Sequence, residues 1–214
     1  MKSQTITLPA AFFVLLCLYS GSLLAMDVYV AGRAGYSMPD DSELTSSSLP
    51  GVKVNLGFKD NFVGAGAVGL RNGAYRSEIE IGYQKNNLKS ISASGITINP
   101  ATVGLSGHVS ALTTLVNAYY DFDTGSRLKP FITAGVGFSV LKASFTVTGV
   151  SGISSSDEDT VFAYQFGAGL GYAVTDKITI EAGYRYLSGQ DAKFNGDTAS
   201  FRSSNITAGV RIHF

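Results

Sequence analysis

The chain has 214 residues, with 16 Lys and Arg against 16 Asp and Glu, one Cys and no Trp. A formal charge of zero without a basic run offers no footprint for nucleic acid. A single thiol rules out both a disulfide framework and a thiolate metal cage.

In chain order, the first element is a targeting segment. Lys2 supplies a positive start, Leu8 to Tyr19 is an unbroken apolar stretch, and "SGSLLA" follows up to Ala25. That is the pattern of a secretory signal, too short to span as a membrane helix. The expected cut is after Ala25, with Ser22 as the alternative, so the chain divides into a signal, 1–25, and a barrel domain, 26–214. Cys17 leaves with the signal, and the mature part carries 15 basic against 16 acidic residues. That part has no apolar run of about 18 residues, so a membrane form of it would be a closed barrel.

Eight segments then alternate in polarity with period two, the mark of a strand between two solvents. The first puts Val28, Val30, Ala34 and Tyr36 on one face, with Arg33 and Ser37 on the other. The second, "FVGAGAVGL", has no assignable facing, because Gly and Ala fill both sides. The third sets Tyr75, Ile79, Ile81 and Tyr83 against Arg76, Glu78, Glu80 and Gln84. The fourth sets Leu112, Val116, Ala118, Tyr120 and Phe122 against Thr113, Asn117, Tyr119 and Asp121. Strand five presents Ile132, Ala134, Val136, Phe138 and Val140 outward; strand six presents Phe162, Tyr164, Phe166, Ala168, Leu170 and Tyr172. The seventh sets Ile178, Ile180, Ala182, Tyr184 and Tyr186 against Thr179, Glu181 and Arg185. The eighth sets Ile206, Ala208, Val210, Ile212 and Phe214 against Arg211 and His213.

Connections alternate between short turns ("RNGA", "DTGSRLKP", "AVTDK") and long Ser/Thr/Gly-rich loops. Short turns on one side and long loops on the other define an all-β, eight-stranded antiparallel transmembrane up-and-down β-barrel. A soluble lipid-carrier barrel would reverse the facing. Two features oppose it: charges at mid-strand with near-balanced sign, and aromatics near strand ends, as membrane girdles require. The inward charges are Arg33, Arg76, Arg185 and Arg211 with Glu78, Glu80, Glu181 and Asp121. Unpaired buried charges cost several kcal/mol, so these eight are expected to pair as a structural plug.

"YRSEIEIGYQ", "NAYYDFDTGSRLKPFITAGVGFS", "FGAGLGYAVTDKITIEAGYRYL" and "AGVRIHF" resemble the opacity-type surface-antigen family of outer-membrane barrels, which includes rickettsial surface proteins. The resemblance runs from strand three onward. It implies surface exposure on the bacterial outer membrane, with roles in adhesion, antigenicity or envelope integrity, and it does not imply an enzyme. The closing row Ile206, Ala208, Val210, Ile212 and Phe214 also resembles the signal read by the barrel assembly machinery.

Several motifs carry other chemistry. Gly64 to Gly69 has dinucleotide-loop spacing, but strand-like sequence follows where a helix is needed. His108 and Ser110 have the His-x-Ser spacing of a lipid A deacylase that is also a barrel, with no acidic residue beside them to orient the base. His213 is expected in the lumen, and Asp157–Glu158–Asp159 at a solvated loop tip. None of these has metal-ligand spacing, so no metal or cofactor is expected.

The expected function is a non-enzymatic surface protein working through its long loops. The alternatives are a small-solute or ion pore and a lipid A-modifying enzyme. Expected partners are outer-membrane lipid and lipopolysaccharide, the assembly machinery, and host surface molecules.

Overall fold

The computed structural model describes residues 26–40, 42–45, 53–59, 61–93, 96–147, 154–194, 197–199 and 201–214. The proposed signal, 1–25, lies outside the described residues. Eight long strands follow the alternating segments: β1 Asp27–Pro39, β2 Asn61–Asn72, β3 Tyr75–Ala93, β4 Leu105–Asp121, β5 Leu128–Val147, β6 Ser154–Ala173, β7 Ile178–Gly189 and β8 Arg202–His213.

Each strand pairs antiparallel with its chain neighbour, and β8 closes on β1. The closing register runs from Tyr29 opposite His213 to Pro39 opposite Ser203. Closure satisfies every strand edge inside the bilayer, where no water is available to do so. The turn after β2 places Gly73 at φ 60, and the turn after β4 places Gly125 at φ 67. These are left-handed positions that glycine adopts without steric cost.

The outward rows are apolar and exposed to lipid. On β5, Leu128 to Val140 covers about 40 Å along the strand, at about 3.3 Å per residue. At a tilt of about 45° that is roughly 28 Å of height, enough to cross the hydrocarbon core. Aromatics border this band. Tyr75 and Tyr120 (ring centroids 5.3 Å apart) and Tyr120 and Phe122 (4.9 Å) form an edge-to-face cluster near the short turns. Phe138 and Phe162 (6.2 Å) pair near the long loops.

The structure settles the facing of β2. Phe62 and Val68 point to lipid, 61% and 59% exposed, while Ala67 and Gly69 point inward. The small residues there have a definite job. Tyr29 fills the lumen opposite Gly69, and a Cβ at Gly69 would fall on the Tyr29 ring and the Ser77 carbonyl. Gly66, on the lipid side, has open space around it.

The long loops contain more regular structure than their composition suggests. β3 to β6 continue well beyond the bilayer, and short strands extend the sheet further. Lys53–Phe58 pairs with β3, Ser42–Thr45 with Lys53–Phe58, Asp197–Ala199 with Ser42–Thr45, and Ala192–Phe194 with Asp197–Ala199. Ile96–Ile98 folds back on β3. The first, second and fourth long connections therefore share one extracellular sheet.

Gly69→Val is expected to lower stability by about 1–3 kcal/mol through overpacking against Tyr29. Gly66→Val is expected to change it by less than about 0.5 kcal/mol. Urea unfolding midpoints in lipid vesicles compare the two, and equal midpoints would contradict this packing.

Candidate functional site

The inward positions of β1, β3, β4, β7 and β8 bring the eight predicted charges into one buried cluster. Glu78 is its centre, with no exposed surface. Arg33 approaches it as a fork, Nη1 to Oε1 and Nη2 to Oε2, both at 2.9 Å. Tyr29 donates to Oε2 at 3.0 Å, and Tyr119 donates to Oε1 at 2.6 Å. Asn117 adds a longer contact at 3.4 Å and is itself met by Gln165 at 2.6 Å. A buried carboxylate with this many donors is compensated for the water it loses.

The other charges are paired around this centre. Arg76 forms a second fork on Asp121, with both contacts at 2.8 Å. Its guanidinium also lies 4.2 Å from the centroid of the Tyr119 ring, a cation–π geometry. Glu80 takes Arg33 at 2.9 Å and Arg185 at 2.6 Å. Glu181 takes Arg211 at 2.8 Å and lies 3.4 Å from Arg33 and 3.5 Å from Arg76. Arg185 also donates to the Tyr119 hydroxyl at 2.8 Å. His213 lies at the same end of the lumen, its ring 5.6 Å from that of Tyr29.

A second lumen layer was not anticipated from the sequence. Ala111, Leu115, Leu141, Val161, Ala163, Leu187 and Phe201 form a buried apolar cluster on the loop side of the charges. Their inward parity was readable: Leu115 has the phase of Thr113 and Asn117. The signal was masked because apolar neighbours on the lipid face break the alternation. A cavity of about 40 Å³ lies near Arg33, Glu80, Gln84, Leu115 and Arg185, room for water rather than a solute. Among the described residues, the ionic layer and the apolar layer occlude the bore in series.

The remaining motifs lie elsewhere. His108 and Ser110 are both within β4, half-buried on its outward face. Their cross-strand neighbours are Asn87 and Ser144 for His108, and Lys85 and Lys142 for Ser110. Among the described residues, none of these four neighbours is a carboxylate. Asp157, Glu158 and Asp159 are in β6 rather than at a loop tip, with Asp157 and Asp159 on one face of the strand and Glu158 on the other. Gly64 to Gly69 belongs to β2. Among the described residues, no three His, Cys, Asp or Glu side chains are grouped to hold a metal ion.

An occluded eight-stranded barrel with a lipid-facing apolar band is an outer-membrane anchor. The chain belongs to the outer membrane protein beta-barrel domain family, whose model matches residues 11–214. It is 37% identical over 93 residues to Outer membrane protein PagN of Salmonella typhimurium, covering 42% of this chain and 39% of that protein. It is 25% identical over 134 residues to a putative adhesin of Rickettsia canadensis, covering 58% of this chain and 60% of that protein. The chain thus spans between about two fifths and three fifths of these relatives. Among solved structures, Neisserial surface protein A superposes with a TM-score of 0.54 at 24% identity, over 87% of this chain and 97% of that one. The protein is therefore a β-barrel of the bacterial outer membrane.

Because the Arg76–Asp121 fork is buried, losing Arg76 leaves Asp121 an uncompensated charge, and losing Asp121 leaves Arg76 only the longer contact with Glu181 at 3.5 Å. Arg76→Met or Asp121→Leu alone is expected to cost about 3–5 kcal/mol, and the double substitution less than either. Urea titrations of the three variants in vesicles test this; a double variant weaker than both singles would contradict it.

Proposed function

We propose that the protein is a non-enzymatic adhesin: the barrel anchors it, and the extracellular sheet attaches to host surface molecules. The occlusion of the lumen by paired charges and an apolar layer carries this reading, because it leaves the outer surface as the place for chemistry. The rickettsial relatives named as putative adhesins support it. The buried charge network acts as a structural plug. Residues 1–25 act as a secretion signal, so the outer-membrane form begins at Met26.

Attachment is expected to map to the joined connections. Ser42–Thr45 and Asp197–Ala199 pair with each other, so cutting either the first or the fourth connection to a tight turn removes a strand partner from the other. Both truncations are expected to abolish binding of displaying bacteria to host cells. The connection between β5 and β6 is expected to tolerate shortening without that effect. Binding that survives removal of the first and fourth connections together would sink the adhesin reading.

The pore alternative predicts discrete conductance steps in planar bilayers. None is expected from the wild-type barrel, and regular steps at neutral pH would overturn the plug.

A further inference from the structure

The outward rows change character sharply at one level of the barrel. On β3, β4 and β5 the last apolar residues are Tyr83, Leu112 and Val140, which lie side by side in the register. The next outward row is Lys85, Ser110 and Lys142. The row beyond it is Asn87, His108 and Ser144. The two lysines are exposed and flank Ser110, and each is one strand away from it, so their Cα atoms are about 10 Å apart. Burial, then the positive charges of Lys85 and Lys142, hold the His108 imidazole below its ordinary value. Glu158 on β6 lies opposite Lys142 in the register. No ion pair of either lysine with a carboxylate is found among the described residues.

Height fixes what this row meets. It begins immediately above a band of about 28 Å, which is the hydrocarbon thickness, and so lies at the headgroups of the outer leaflet. Its side chains point sideways into the membrane plane, not upward toward a partner cell. Lysines at that depth snorkel and are attracted to anionic headgroups. The glycolipid of that leaflet carries phosphates on its sugar core.

We infer that Lys85, Ser110, Lys142 and His108 form a lateral binding site for the phosphate of an outer-leaflet glycolipid of the lipid A class. The two ammonium groups bracket the phosphate, Ser110 and His108 donate hydrogen bonds from between them, and Tyr83, Leu112 and Val140 pack against the acyl chains below. The site works whatever the extracellular sheet binds.

Native mass spectrometry of the folded barrel in neutral detergent reads this directly, with bisphosphorylated lipid A as probe. The variants are K85Q/K142Q, the charge-retaining K85R/K142R, and K177Q in a short turn as control. Each lysine lost is expected to weaken binding about fivefold, so the double variant binds about 25-fold more weakly. K85R/K142R and K177Q are expected to bind as wild type, and dephosphorylated lipid A to bind wild type no better than the double variant binds the phosphorylated form. Unchanged affinity in K85Q/K142Q, or equal binding of dephosphorylated lipid A, would overturn the site. Inorganic pyrophosphate competing as strongly as lipid A would reassign it to free phosphate, and heparin competing more strongly would reassign it to an external polyanion; either overturns the glycolipid assignment. All substitutions lie outside the lumen, and heat-modifiable gel mobility verifies folding. If K85Q/K142Q fails to fold, the single variants carry the same comparison, each with a fivefold loss expected.

Discussion

Glu78 is the constraint on which the barrel interior depends. A carboxylate with no access to water must find its counter-charge and donors from other strands. It takes them from Arg33 and Tyr29 on β1 and from Tyr119 and Asn117 on β4. Arg33 passes the constraint to Glu80 and Glu181, and Glu181 passes it to Arg211 on β8. The strands that close the barrel are thus tied through its bore as well as along their edges. A one-residue slip of β3 would turn Glu78 and Glu80 toward lipid and Ile79 and Ile81 inward. Backbone closure and charge pairing therefore select the same register.

The two lumen layers divide the work between them. The ionic layer cross-links strands by directed contacts, and four guanidinium groups meet four carboxylates so that no charge is left over. The apolar layer above it, built on Leu115, Leu141, Val161 and Leu187, contributes no direction but lowers the dielectric on the loop side of the ion pairs. Low dielectric strengthens a satisfied pair and punishes an unsatisfied one. Two tyrosines, Tyr29 and Tyr119, link these roles: each hydroxyl donates to Glu78 while its ring lies against arginine.

What the sequence made legible follows from contrast between solvents. The lipid-facing rows and the eight charges could be read because apolar and charged residues alternate strictly, as in "YRSEIEIGYQ". Where both faces are small, as in "GAGAVG", or both apolar, as at Val140–Leu141, alternation has no phase and neighbouring strands must supply it. β2 takes its phase from β1 through pairs such as Ala31 with Ala67. Tyr29 was legible by parity only, since girdle and lumen both use tyrosine. The pairing of Ser42–Thr45 with Asp197–Ala199 joins segments far apart in the chain, so no local pattern could announce it.

That pairing bears on how a membrane anchor presents a surface. β5 and β6 each have 20 residues, which at a tilt of about 45° is roughly 47 Å of height, well beyond a band of about 28 Å. The excess stands above the membrane as a hydrogen-bonded hairpin, while the connections on the opposite side of the barrel are held together by shared strands. A loose loop would lose conformational entropy on contact with a partner. A sheet continuous with the barrel wall has already lost it during folding. The same rigidity that keeps Glu78 paired in the bore is thus transmitted along the strands to the surface that faces outward.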